Sequence, residues 1–139
     1  MARIKYDTAL IQAMALFEKV TGTTVRDLIV DRTSALVFVV EQHEAGRAIG
    51  RGGSTLRRLQ ELLKRKIKIV EFDPDITQFV RNLLYPLRVK AVRLDGDAVV
   101  IEGTDRENRA LVIGKDRQNL KQHEGIVRRH FTVSELKVV

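Results

Sequence analysis

The sequence contains an internal repeat with a spacing of 64 residues, and this repeat limits the possible folds more than any other feature. The shift aligns residues of a turn, a loop, a helix and a strand: Asp31 with Asp95, Ile49-Gly50-Arg51 with Ile113-Gly114-Lys115, Leu56 with Leu120, and Ile67 and Ile69 with Phe131 and Val133. One shift that holds across several elements is typical of two copies of one structural module. We therefore predict two α/β modules, residues 1–73 and 74–139, which meet at Asp73-Pro74-Asp75.

Hydrophobic patterning gives the first module the order α-β-β-α-α-β. A helical stripe, capped by Asp7 or Thr8, is formed by Leu10, Ile11, Met14, Phe17 and Val20. The continuous apolar run 35–41 is typical of a buried strand. The predicted elements are a helix at 7–20, strands at 25–30 and 35–41, a short helix at 44–49, a glycine loop at 50–53, a basic helix from Ser54 and a strand at 66–72.

The second module repeats this order. Asp95-Gly96-Asp97 is a strong hairpin signal between two apolar runs. The two aspartates could also form a metal pair, but a turn is the better interpretation because no further ligands cluster nearby. The predicted elements are a helix at 75–84, strands at 87–94 and 98–102, helices at 105–112 and 118–129, and a strand at 131–139.

The glycine loop Gly50-Arg51-Gly52-Gly53 opens directly into an amphipathic helix. Leu56, Leu59, Leu62 and Leu63 are predicted to share one face of that helix, with Ser54 or Thr55 as its cap. Glycines let a backbone approach a ligand closely, and a helix start offers N–H groups and the positive end of a dipole. With an arginine inside it, the loop is a plausible cradle for a phosphate.

The charge of this segment favours a polyanionic ligand over a structural turn or a solvated face. Between Gly46 and Lys68 there are eight basic residues against the single acidic residue Glu61, in a chain with a net charge of +7. A clustered basic patch of this kind attracts nucleic acid. The 44% of hydrophobic residues predict a folded chain, and aromatic residues, at 5%, are too few for stacking platforms.

Catalysis, a metal site and a membrane location find no support in the sequence. The chain has no cysteine, and His43, His123 and His130 stand in unlike surroundings. The glycine loop matches neither a dinucleotide-binding nor a nucleotide-hydrolysing signature. The residues at the start lack the apolar core of a signal peptide, and no segment is long enough to span a membrane. We predict a cytoplasmic protein without enzymatic activity, cofactor or metal.

The loop, its flanking helices and the following strand resemble the KH motif, in which a G-x-x-G loop clamps the nucleic-acid backbone. Two strands ahead of this unit resemble the type II form, and two such units in tandem resemble archaeal NusA-like transcription factors. In the second copy, Ile113-Gly114 followed by Gln118-Asn119 is similar to the I-G-x-x-x-Q-N pattern of that family. The resemblance implies a three-stranded mixed sheet in each module, covered by helices on one face.

The resemblance implies a single-stranded RNA-binding protein that acts in transcription elongation, termination or antitermination, and we expect it to be a monomer. Its RNA would be a nascent transcript or ribosomal RNA, with RNA polymerase as a second partner. The predicted RNA-binding residues are Ile49, Gly50, Arg51, Gly52, Gly53, Ser54, Arg57 and Arg58 in the first module and Gly114, Lys115, Arg117 and Asn119 in the second. Bases would lie in an apolar groove lined by Ala48, Ile49, Leu56 and the strand at Val37 to Val40.

The second loop departs from the family pattern, because Arg117 replaces its closing glycine and Asp116 brings a negative charge. Weaker or differently positioned backbone contact is expected there. Two other functions remain open at this point. One is a ribosome-associated RNA-binding protein or RNA chaperone, and the other is a docking module whose basic face binds an acidic partner such as a polymerase subunit.

Overall fold

A computed structural model describes residues 6–139, which form two compact units divided between Phe72 and Asp73. Residues 1–5 belong to the first predicted module and to the segment inspected for a signal peptide, and they lie outside the described residues. Among residues 6–139, no helix combines the length and the apolar character needed to cross a membrane.

The first unit has the predicted α-β-β-α-α-β order. Its elements are α1 (Thr8–Thr21), β1 (Val25–Val30), β2 (Leu36–Val40), α2 (Ala45–Ile49), a 3-10 turn (Arg51–Gly53), α3 (Ser54–Leu63) and β3 (Ile67–Glu71). The central strand β2 pairs with β1 antiparallel and with β3 parallel. The prediction of a three-stranded mixed sheet is therefore confirmed for this unit.

The second unit repeats the same architecture. Its elements are α4 (Ile76–Leu84), β4 (Ala91–Asp95), β5 (Ala98–Glu102), α5 (Arg106–Ile113), a 3-10 turn (Lys115–Arg117), α6 (Gln118–Arg128) and β6 (Leu136–Val138). Strand β5 is central, antiparallel to β4 and parallel to β6. The predicted α/β fold class holds for both halves of the chain.

The core of the first unit forms where the stripe of α1 meets β2. Phe17 stacks on Phe38 with ring centroids 4.1 Å apart, and all five residues of β2 are buried. At the start of α1, the Asp7 carboxylate accepts the Leu10 N–H at 2.8 Å, as predicted for a cap. Ile11 was wrongly placed in the stripe and is 54% exposed. At 100° per residue, it points well away from the buried side of the helix.

Two predicted strands of the second unit are shorter than expected. The strand predicted at 87–94 begins only at Ala91, because Leu87 first closes a turn by donating its N–H to the Leu84 carbonyl. The strand predicted at 131–139 is reduced to Leu136–Val138. The carbonyls of Val133 and Ser134 accept hydrogen bonds from the Arg128 guanidinium, which holds this segment against α6.

The 64-residue shift ends before the last strand of each unit. Gln60 of α3 accepts the N–H of Ile67, and Glu124 of α6 accepts the N–H of Leu136. The two acceptors are 64 positions apart, whereas the two donors are 69 apart (136 minus 67). The predicted match of Ile67 with Phe131 is therefore wrong, and the second unit has five additional residues between helix and strand.

Candidate nucleic-acid interface

The first glycine loop leaves α2 through a backbone conformation that only glycine adopts readily. Gly50 has φ 78° and ψ 170°, a region almost exclusive to glycine. A Cβ atom at this position would lie 2.3 Å from the Thr55 Oγ1 and 2.9 Å from the Thr55 backbone nitrogen. The loop-opening glycine is therefore required both by its dihedral angles and by the close approach of α3.

Three successive carbonyl groups of this loop accept hydrogen bonds from nearby residues. Gly50 accepts the Gly53 N–H at 3.1 Å, and Arg51 accepts the Ser54 N–H. Gly52 accepts an N–H of the Arg57 guanidinium at 2.7 Å. The Gly50 carbonyl shares a peptide group with the Arg51 N–H, and the Arg51 carbonyl shares one with the Gly52 N–H. Because the C=O and N–H of a trans peptide point in opposite directions, these two N–H groups point outward, away from the hydrogen bonds that the carbonyls accept. Two adjacent outward amides can hold one anionic oxygen.

The residues predicted to bind RNA at this loop are fully or partly accessible to solvent. Arg51, Ser54, Arg57 and Arg58 are exposed, and Ile49, Gly50 and Gly53 are half-buried. The prediction that Ser54 or Thr55 caps α3 is wrong, because the cap position is Gly53, in a left-handed conformation and without a side-chain hydrogen bond. The Thr55 hydroxyl lies against Gly50 instead.

The leucine face of α3 is narrower than predicted. Leu59 is buried, and Leu56 and Leu63 pack against the core. Leu62 is 49% exposed, because at 100° per residue it lies about a quarter-turn from the centre of that face. This helix therefore fixes the loop to the core through three of its four predicted leucines.

The second loop has the same backbone although it lacks two of the glycines. Gly114 has φ 74° and ψ 170°, close to the values of Gly50. Asp116 (φ 53°, ψ 30°) and Arg117 (φ 61°, ψ 20°) adopt the left-handed conformation that Gly52 and Gly53 adopt in the first loop. Gly114 accepts the Arg117 N–H at 3.2 Å, and Lys115 accepts the Gln118 N–H. The outward amides here are those of Lys115 and Asp116.

Asn119, which was predicted to bind RNA, is involved in holding this loop. Its Nδ2 donates to the Leu111 carbonyl at 3.0 Å. A Cβ atom at Gly114 would lie 2.6 Å from the Asn119 amide group, so this side chain covers the loop-opening glycine as Thr55 does in the first unit. Asn119 is half-buried, whereas Lys115 and Arg117 are exposed.

An open cavity of about 360 Å³ adjoins the second loop. It lies between the loop, α6 and the edge strand β6, and its lining comprises Ile113, Arg117, Leu120 and residues 135–139. Its walls are largely apolar, and three charged residues also line it: Arg117, and Lys137 with Glu135, which form an ion pair at 3.6 Å. A cavity of this size falls within the range of small-molecule sites and can accept a planar base.

The prediction that the strand at Val37 to Val40 lines the groove of the first unit was wrong. Val37 to Val40 belong to the central strand β2, are at most 2% exposed and have paired strands on both sides. Ala48 is fully buried as well. In the second unit, the last strand forms the wall of the cavity, and its counterpart in the first unit is the edge strand β3. The continuous apolar run of β2 had itself indicated a buried strand, which is a poor candidate for a groove wall.

Two ionisable groups near the first hairpin have shifted pKa values. Burial lowers the pKa of Lys68 on β3, although the nearby charge of Asp31 opposes the shift. Burial raises the pKa of Asp31, but hydrogen bonds from Thr33 and Ala35 outweigh it and the net pKa is lowered. Within residues 6–139, no group of three or more histidine, cysteine or acidic side chains is arranged to hold a metal ion.

The chain is similar to known proteins along almost its whole length. A family model described as KH domain matches residues 12–81, which cover most of the first unit and the start of the second. "Probable transcription termination protein NusA" of Methanococcus vannielii is 33% identical over 99% of this chain and 80% of that protein. The protein of the same name from Methanocaldococcus jannaschii is 28% identical over 100% and 77%. The crystal structure of APE1850 is 31% identical, with a TM-score of 0.72 over 93% of this chain and 96% of that one.

Proposed function

The chain belongs to the KH-domain family and to its archaeal NusA-like members, and from this premise we propose that it binds single-stranded RNA as a transcription elongation, termination or antitermination factor. KH domains hold the nucleic-acid backbone at a G-x-x-G loop. The names of the relatives support a nascent transcript as the RNA, with RNA polymerase as a partner. The two units are then two KH domains that meet near residue 73.

The outward pair of amides at Arg51 and Gly52 is the observation on which this proposal rests. These two N–H groups lie beside the exposed Arg51 side chain and directly before α3. Backbone donors, a cation and a helix dipole act in the same direction on a phosphate. The phosphate contacts position the strand on the protein and place the bases beside the loop.

The second loop is proposed to contribute less to backbone binding. One of its two outward amides belongs to Asp116, whose carboxylate repels a phosphate at the same place. Lys115 and Arg117 flank this carboxylate and partly offset it. The adjoining cavity, with largely apolar walls and the exposed side chain of Arg117 in its lining, supports a role of the second unit in holding a base.

The test compares three charge reversals in the full chain. Arg51→Asp and Lys115→Asp change the two loops, and Lys64→Asp changes an exposed cation at the far end of α3 by the same amount. Affinity for a single-stranded RNA is measured over a salt series by fluorescence anisotropy. Arg51→Asp should weaken binding by at least about tenfold and flatten the slope of log affinity against log salt by about 0.7 per lost phosphate contact. Lys115→Asp should cost less, and Lys64→Asp least.

Equal losses for Arg51→Asp and Lys64→Asp would mean that general basic charge, rather than the loop, binds the RNA. If the parent protein does not bind RNA at physiological salt, the docking of an acidic protein becomes the better explanation of the basic face. Circular dichroism of each variant checks that the comparison is made between folded proteins.

A further inference from the structure

Arg57 lies along the first glycine loop although it follows that loop by a full helical turn. Its Nη1 donates to the Gly52 carbonyl at 2.7 Å. A Cβ atom at Gly53 would lie 3.3 Å from the same nitrogen. The guanidinium group therefore covers the last two residues of the loop while its other N–H groups remain available on an exposed side chain.

This contact fixes the most flexible peptide group of the loop. The peptide that joins Gly52 to Gly53 has a glycine on each side, and glycine loses more conformational freedom on ordering than any other residue. The nitrogen of this peptide is held by the Gly50 carbonyl and its oxygen is held by Arg57. Without Arg57, the Gly52 carbonyl loses the hydrogen bond that limits the rotation of this peptide group.

The second loop supplies a natural comparison. Lys121 occupies the position of Arg57 at the 64-residue shift. In the described part of the chain, Lys121 makes no hydrogen bond to the second loop, although the backbone there has the same conformation. Asp116 and Arg117 have Cβ atoms and therefore less freedom to lose. An anchor is present in the loop that has glycines and absent from the loop that lacks them.

We infer that Arg57 is a positioning residue that organises the outward amides of Arg51 and Gly52 before RNA arrives. Arg57 then strengthens binding because the loop is already ordered in the free protein, so that less conformational entropy is lost when RNA binds. This inference deepens the proposed function, and it rests on that function for the identity of the ligand. The order of the loop in the free protein, in contrast, does not depend on any ligand.

The first experiment measures the free protein. Backbone ¹⁵N relaxation and chemical shifts of residues 50–54 are compared in the full chain for the parent, Arg57→Met, Arg58→Met and Arg57→Lys. Arg57→Met should lower the order of the Gly52 and Gly53 amides, whereas Arg58→Met, with the same loss of charge one residue away, should leave them unchanged. Arg57→Lys should restore little of the order, because Lys121, at the same position beside the second loop, makes no hydrogen bond within the described residues to a loop backbone of the same conformation. Lys121→Met should not affect residues 114–118.

The second experiment measures RNA affinity over a salt series for the same variants. Arg57→Met should weaken binding by about tenfold with little change in salt slope, whereas loss of a phosphate contact flattens the slope. Unchanged loop amides in Arg57→Met would overturn the inference, whatever happens to affinity. A failure of the proposed function would look different: the loop of the free protein would still loosen, but neither Arg51→Asp nor Arg57→Met would alter RNA binding.

Discussion

Replacing Gly50 by alanine should be the most damaging small change in the first loop. At φ 78° and ψ 170°, the backbone of Gly50 lies in a region that residues with a Cβ avoid. The added methyl group would also lie 2.3 Å from the Thr55 Oγ1 and 2.9 Å from the Thr55 backbone nitrogen. A rotation of the Thr55 side chain could relieve the first contact, but only a shift of α3 could relieve the second.

The expected loss of stability follows from these two terms. The backbone conformation costs about 1–3 kcal/mol for a residue other than glycine. The overlap with a fixed backbone atom adds about 1–3 kcal/mol, as for other overpacked sites. We expect Gly50→Ala to lower the free energy of unfolding of the first unit by about 4 kcal/mol. Gly52→Ala should cost only about 1 kcal/mol, because φ is 59° there and no atom lies within 4 Å of the new Cβ.

Native-state hydrogen exchange in the full chain measures this difference unit by unit. The amides of Phe38 and Val39, in the buried strand β2, report the opening of the first unit. Adding Thr55→Ala to Gly50→Ala should recover only part of the loss, because the contact with the backbone nitrogen remains. Costs for Gly50→Ala and Gly52→Ala that agree within about 0.5 kcal/mol would refute the assigned conformation of the loop.

Three further predictions concern single side chains. Asn119→Ala should destabilise the second unit by about 1 kcal/mol, because the hydrogen bond to the Leu111 carbonyl is lost. The salt slope of RNA binding should not change, and Gln118→Ala, at an exposed neighbouring position, is the control. Asp31 has a lowered pKa, so it contributes stability above the unfolded value of 3.8 that is lost as the pH falls through the lower folded value. Urea unfolding at acidic pH should therefore show a weaker pH dependence for Asp31→Asn, and an unchanged profile would contradict this. Asp116→Asn should raise RNA affinity severalfold at low salt and less at high salt, since asparagine tolerates the left-handed conformation; an unchanged affinity would exclude repulsion at this loop.

Much of the fold could be predicted because it depends on local patterns. The period of α1, the apolar run of β2 and the Asp-Gly-Asp hairpin each specify an element by themselves. The boundary of the last strand could not be predicted in this way. The apolar residues Phe131 and Val133 continue the pattern of a strand, yet the Arg128 guanidinium donates to the carbonyls of Val133 and Ser134. A side chain from another element decided the outcome, and a local pattern contains no information about it.

The candidate site, like the fold, could be predicted only in part. The position of the loop and the exposure of its arginines agree with the sequence analysis, since glycines and charges mark them directly. The groove wall was misplaced although the continuous apolar run of β2 already indicated a buried strand, which has no exposed side chains to line a groove. The hydrogen bonds of Arg57 and Asn119 also escaped detection, because a polar residue at a helix start is equally compatible with binding a ligand and with holding a loop.

The two loops reach one backbone conformation at different costs. The first uses Gly52 and Gly53, which enter the left-handed region freely but lose much entropy, and Arg57 limits that freedom. The second uses Asp116 and Arg117, which are strained by about 1–2 kcal/mol each in that region but have less freedom to lose. Each loop has a net charge of +1, from Arg51 alone in the first and from Lys115 and Arg117 against Asp116 in the second. Because the net charges of the two loops are equal, the charge of the loop residues alone does not explain a difference in RNA affinity between them, and the position of the charges and the way in which the backbone is held become the features to test.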